Sequence, residues 1–210
     1  MNTVARGLGI RRGPVAGLRA AKDPATPTRT RSPIDAGDGR FGFLIGTGFW
    51  ARFLREYDSR NGPGGLRAAG VMARGLQSTL VSGPFVRDLF EPTVASLTVN
   101  DDPPTHGSFT MIAAAVVPQV GLGFAPFRGV LDAPDKLHGL AFTSSPGRVA
   151  LQLPRLFLGK APSLPDWGGT VTRLQVDAET PIEWAIDGDV QAATAQLTLS
   201  CGPALEFCLP

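Results

Sequence analysis

The chain has 210 residues, 43 % hydrophobic and 18 % charged, with a formal net charge of +2. That length admits one large domain or one domain with an attached arm, the apolar fraction suffices for a core, and so small a charge makes no case for nucleic acid. The 26 glycines and 19 prolines exclude a helix bundle and favour short strands punctuated by turns.

In chain order, Asn2 to Leu8 reads as the opening of a helix, with Asn2 a suitable N-cap, and Pro14 to Ala21 as a second short one. Lys22 to Gly39, rich in Pro, Thr, Asp and Arg, reads as a connector or a poorly ordered loop. Arg6, Arg11, Arg12, Arg19, Lys22, Arg29 and Arg31 crowd this opening against a lone Asp23. Solvated surface is the default for such an arm; a phosphate contact or a transit peptide are the alternatives. Arg40 to Gly46 is strand-like and turns at Thr47-Gly48 into a helically spaced segment, Phe49 to Tyr57. Asn61 to Gly65 is a break, and Leu66 to Val81 has the spacing of an amphipathic helix.

After Pro84 the period shortens. Strands are expected at Ala95 to Asn100, Phe109 to Val117, Leu137 to Thr143, Val171 to Ala178, Pro181 to Ile186, Ala195 to Leu199 and Ala204 to Leu209, with one more helix at Arg148 to Leu158. The expected fold is α+β: mainly an antiparallel, sandwich-like sheet with a few packed helices.

No apolar run approaches the roughly 18 residues of a spanning helix, and Val4 to Ile10, broken by Arg6, is too short for a secretory signal. Cys201 and Cys208 fit neither a zinc pattern nor a disulfide framework and read as buried free thiols. His106 and His138 complete no Ser-His-Asp or Cys-His arrangement, and there is no HExxH or P-loop. What remains is Asp187-Gly188-Asp189 after the apolar run Ile182 to Ile186. Two carboxylates at a strand-to-turn edge can deprotonate an alcohol, as in phosphoryl transfer; Asp-Gly is equally a hairpin turn that needs no chemistry.

Four segments in order resemble the lipid-kinase family of diacylglycerol kinases, sphingosine kinases and related bacterial enzymes. Met1 to Ile10 resembles the segment at that family's Gly-Thr-x-Asn element, of which Asn2 is retained. Phe43-Leu-Ile-Gly-Thr-Gly48 resembles the strand and turn opening its second domain. Phe109 to Phe127, with Val120-Gly-Leu-Gly-Phe-Ala-Pro126 and then Ala133-Pro-Asp135-Lys-Leu137, resembles its long strand and acidic turn. Ile186-Asp187-Gly188-Asp189 resembles its Asp-Gly-Glu, followed by a closing strand.

The resemblance implies a remnant of an α/β nucleotide-binding domain over residues 1–39 and a β-rich lipid-kinase domain over 40–210. It implies a kinase that transfers the γ-phosphate of ATP to a lipid hydroxyl, with Asp187 and Asp189 as catalytic carboxylates and Asn2 near the nucleotide. It implies a Mg²⁺ ion held by Asp135 with the backbone carbonyls of Asp132 and Leu137. Phe124, Phe127 and Phe157 are lining candidates for an acyl pocket, with core packing the plainer reading. The implied setting is cytoplasmic and peripheral to the membrane, with a lipid substrate, no spanning segment, no nucleic acid and room for a homo-oligomer. The family's Gly-Gly-Asp-Gly-Thr loop is absent from the 210 residues, so the chain alone is expected not to turn over ATP. Asp189 also stands where the family usually has glutamate, which retracts the charge by about 1 Å. A non-catalytic lipid-binding or regulatory module is the alternative, and a targeting arm on an unrelated β domain a third.

Overall fold

The computed structural model describes residues 14–59, 84–120, 125–127, 129–143 and 166–209, with a few single positions besides. The helices expected at Leu66 to Val81 and Arg148 to Leu158, and Asn2, fall outside the described residues, apart from Arg148 itself.

The architecture is α+β and mainly antiparallel, as the alternation and turn spacing predict. Ten strands join in one sheet: β2 (Ile34–Asp35), β3 (Phe41–Gly42), β4 (Leu44–Thr47), β5 (Thr93–Val99), β6 (Thr105–Phe109), β7 (Met111–Ala115), β8 (Leu137–Phe142), β9 (Trp167–Val171), β10 (Arg173–Ile186) and β11 (Asp189–Cys201). A separate ribbon pairs β1 (Thr28–Arg31) with β12 (Leu205–Cys208). Three helices are described: α1 (Pro14–Ala20), α2 (Phe49–Asp58) and α3 (Pro84–Leu89).

The long hairpin β10–β11 is the spine. The first half of β10 pairs with β5, which carries β6, and its last residues pair with β4, which leads through β7 and β8 to β9. One strand thus feeds two leaves. They close on a core of Ala95, Leu97, Ile112, Ala114, Leu137, Val171, Leu174, Val176, Trp184 and Leu199, all buried. A second cluster, with Leu44, Ala113, Ala115, Phe127, Val130 and Leu140, lies on the opposite face of the β4–β7–β8 leaf. Phe127 belongs to this cluster, and its ring meets that of His138 in a T-shaped arrangement.

Four departures from the sequence pattern have local causes. Residues 173–186 form one strand, β10, where two are expected, and Val171 instead ends β9 before the corner at Thr172. The pairing of β10 with β11 lapses between Asp177 and Ile182, so Pro181, which lacks an N–H, interrupts no ladder there. The apolar run 109–117 is not continuous: Thr110 is the corner where the chain leaves one leaf for the other. Its amide donates to the Phe142 carbonyl at 2.8 Å and its own carbonyl accepts from Phe49. Residues 22–39 are not merely a connector, because they supply β1 and β2; Ser200 and Cys201 pair with Asp35 and Ile34. The basic arm is not uniformly solvated either. Arg31 is 1 % exposed, among the most buried side chains described.

Gly48 links β4 to α2 with a φ of 58°, and a Cβ there would lie 2.5 Å from the Thr110 carbonyl. Only glycine fits that left-handed corner. Arg52 and Arg55 of α2 then reach Glu91, Asp88 and Glu183, seating the helix beside α3 and β10.

Candidate functional site

Asp187 and Gly188 form the two-residue turn of the β10–β11 hairpin, with Ile186 paired to Asp189. Both have positive φ, 50° and 112°, the mirror-image turn whose twist suits a hairpin and which favours Asp-Gly. The turn reading of this motif is therefore correct as far as it goes. It does not exhaust the motif, because the Asp187 carboxylate is not idle.

Asp187 Oδ1 accepts hydrogen bonds from the amides of Phe43 and Leu44, both at 2.8 Å, and its own amide donates to the Leu44 carbonyl at 2.8 Å. The turn is thereby clamped to the β3–β4 junction. Gly42 makes the approach feasible: a Cβ there would sit 2.3 Å from Ile186 Cγ1 and 3.1 Å from Asp187 Oδ2. One side of Asp187 is open to water, yet loss of solvent around the carboxyl raises its pKa. The two amide donors oppose that rise, and the neighbouring Asp189 charge adds to it.

A folded-state pKa above the unfolded one favours the protonated form. This contribution to stability is fully present below the unfolded pKa and is lost as pH rises through the folded value. Asp187→Asn keeps an oxygen for the amides and removes the titration. The wild type should therefore gain stability relative to Asp187→Asn on acidification from neutrality. Thermal melts of both proteins across that range would show it, and a difference independent of pH would refute it.

Asp189 is exposed, and its carboxylate has no hydrogen-bond or ion-pair partner among the described residues. The two carboxylates the sequence picks out are thus adjacent but unequal: one is committed to the backbone, the other is free. Close by, Arg40 lies over the buried Trp184 ring at 5.0 Å and pairs with Asp38 at 3.0 Å. Sequence reasoning missed the Phe43 and Leu44 amides and Gly42; glycine between two aromatics in Phe41-Gly-Phe43 is the one signal that marked the place.

The other sequence candidates lie elsewhere. Asp132 ends a 3₁₀ turn, Val130–Asp132; Asp132 and Asp135 are exposed, and the Leu137 side chain is fully buried in the core. Among the described residues no three His, Cys, Asp or Glu side chains converge, so Asp132 and Asp135 form no cluster with Asp187 and Asp189. Cys201 and Cys208 are free and half-buried. His106 sits on β6 with Nδ1 2.7 Å from Ser96 Oγ, an exposed cross-strand pair. Among the described residues no helix is long and apolar enough to cross a membrane.

No family model matches the chain, and no curated protein does. Solved structures do. A diacylglycerol kinase from Bacillus anthracis str. Sterne superposes with a TM-score of 0.60 at 11 % identity, over 94 % of this chain. Two further structures from that organism, assigned to the diacylglycerol kinases, give 0.60 and 0.57 at 12 % and 14 % identity, each over 97 % of this chain. The match takes in 62 %, 62 % and 61 % of those proteins, so the chain spans about three fifths of their length. The likeness establishes that the chain has the fold of that part of bacterial diacylglycerol kinase-like proteins.

Proposed function

We propose that the chain is the β-rich, lipid-side portion of a diacylglycerol kinase-like phosphotransferase, which moves the γ-phosphate of ATP to a lipid hydroxyl at a membrane surface. The observation that carries this reading is the division of labour at the β10–β11 turn. Asp187 is fixed by the Phe43 and Leu44 amides, and beside it Asp189 is exposed, its carboxylate without a partner among the described residues, in a fold shared with diacylglycerol kinases.

In this mechanism Asp189 accepts the proton of the lipid hydroxyl as its oxygen attacks phosphorus, and Asp187 holds the turn so that Asp189 keeps its aim. Positioning and charge carry most of the work in phosphoryl transfer, so a rigid turn matters more than covalent chemistry. ATP arrives with its own Mg²⁺, as substrate. Asn2 is the proposed nucleotide contact, by resemblance alone. A peripheral approach to the membrane follows from the lipid substrate.

One experiment joins the chain to the part of a B. anthracis relative that lies outside the match and follows labelled phosphate from ATP to diacylglycerol in mixed micelles. Transfer by the joined protein and none by the chain alone is the expected result. A non-catalytic lipid-binding module with the same fold is the second reading. That reading predicts binding to diacylglycerol-containing vesicles by both forms and transfer by neither.

A further inference from the structure

A carboxylate that deprotonates an alcohol for attack on phosphorus works beside an anionic group, and a cation close by is needed to hold that group. Asp187 and Asp189 bring two acidic side chains to the β10–β11 turn, and the strand register shows which cation lies with them. Ile186 pairs with Asp189 and Trp184 with Gln191, so these four side chains share one face of the hairpin. β3 crosses that face. A Cβ on Gly42 would meet the Ile186 side chain, and the guanidinium of Arg40, two residues back, lies over the Trp184 ring at 5.0 Å. Arg40 is thus on the side of the hairpin that carries Asp189. Arg55 also reaches β10, but through Glu183, which strand alternation puts on the other face.

The guanidinium is held but not used up. The Arg40 amide donates to the Gly37 carbonyl at 3.0 Å and its carbonyl accepts from Ala36 at 3.0 Å, which fixes the backbone at the start of β3. The ring beneath is fixed as well: Trp184 is buried, and its Nε1 donates to the Ala192 carbonyl at 2.9 Å. This cation–π contact occupies one flat side of the guanidinium and leaves its N–H edge for acceptors. Among the described residues the only hydrogen-bond or ion-pair partner of that edge is Asp38, whose side chain is 87 % exposed. An ion pair so open to water contributes little and is readily exchanged for a better acceptor. A phosphate is such an acceptor, because the planar fork matches two of its oxygens at once.

We propose that Arg40 is the phosphate-binding residue of the Asp187–Asp189 turn, with Asp38 as the acceptor that a polyphosphate displaces. Its place in the reaction rests on the phosphotransferase reading; its capture of the anion does not. In that reaction the lipid oxygen forms its bond to phosphorus as the bond to the departing nucleoside diphosphate breaks. The hydroxyl proton goes to Asp189, and Arg40 offsets charge on the transferred group without giving up a proton of its own. The Trp184 ring sets the position of the fork, so the base and the phosphate it serves meet on one face of one hairpin.

The first test needs no turnover. The isotope-labelled full chain is titrated with inorganic tripolyphosphate while the Arg40 Nε and Trp184 Nε1 resonances are followed by NMR; both should move and saturate together. Arg40→Met should weaken this binding by about tenfold or more, and Arg40→Lys should fall between, keeping the charge without the fork. Asp38→Asn should tighten it by about 2–5-fold by removing the competing carboxylate. Unmoved resonances in the wild type, or equal affinity in the wild type and Arg40→Met, would overturn the proposal. If Arg40→Met fails to fold, the wild-type titration still decides. In the chain joined to the remainder of a relative, Arg40→Met should lower kcat by about 10²–10³-fold with the KM for diacylglycerol little changed. An undiminished kcat would remove Arg40 from the chemistry. A joined protein that captures tripolyphosphate through Arg40 yet transfers no phosphate would instead retire the kinase reading and leave the anion site standing.

Discussion

Asp189→Asn, in the chain joined to a nucleotide-binding half, is expected to lower lipid phosphorylation by about 10²–10⁴-fold without lowering the melting midpoint. The rate effect follows from removing the base, and the undiminished midpoint from a carboxylate that makes no hydrogen bond or ion pair among the described residues and repels Asp187. Asp187→Ala should do the reverse in kind. It strips the Phe43 and Leu44 amides of their acceptor and lowers stability, with activity falling because the turn loosens. Asp189→Glu supplies the sharper contrast. It restores the reach of about 1 Å that the shorter side chain gives up, and a displacement of that size can change a rate by about 10²-fold. Equal loss from Asp189→Asn and Asp189→Glu would mean that the position acts through packing rather than proton transfer. An active Asp189→Asn would remove Asp189 from the chemistry altogether.

Much of this arrangement is legible in the chain because local chemistry and tertiary structure agree. Asp187-Gly188 is a hairpin signal and forms a hairpin; Thr47-Gly48 marks a strand-to-helix corner and makes one; Asn100-Asp-Asp turns β5 back toward β6. The failures occur where burial is not carried by apolar side chains. Thr28-Arg-Thr-Arg31 has no hydrophobic alternation, and its burial rests on a guanidinium bonded to carbonyls 85 to 102 residues away. β9 was hidden by its two glycines. Its Trp167 ring lies over Gly139 on the facing strand, where a Cβ would come within 2.6 Å. At the site, the pair of carboxylates can be read from the sequence, but their unequal roles cannot. Those depend on amides 144 and 143 residues distant, brought to Asp187 by the fold.

Gly42→Ala is expected to lower stability by about 2–4 kcal/mol, a fall of roughly 5–15 °C in the melting midpoint. Gly42 has no left-handed backbone, so the cost is one of space. The added methyl would lie 2.3 and 2.8 Å from Ile186 Cγ1 and Cδ1 and 3.1 Å from Asp187 Oδ2, on the side that now lets the carboxylate reach two amides. Gly17→Ala is the matched control. A methyl there meets nothing within 4 Å, and the helical setting favours alanine by about 0.8–1.0 kcal/mol. The mechanism is separable from a generic strand effect by a double-mutant cycle with Ile186→Ala, which removes the two nearest atoms. If the clash drives the loss, Gly42→Ala should cost less in the Ile186→Ala background, by about 1 kcal/mol or more. Strict additivity would show that the β3–β4 junction shifts to accept the methyl and that the Asp187 clamp tolerates the shift. The rigidity assigned to the turn, and with it the aim of Asp189, would then have to come from the β10–β11 ladder alone.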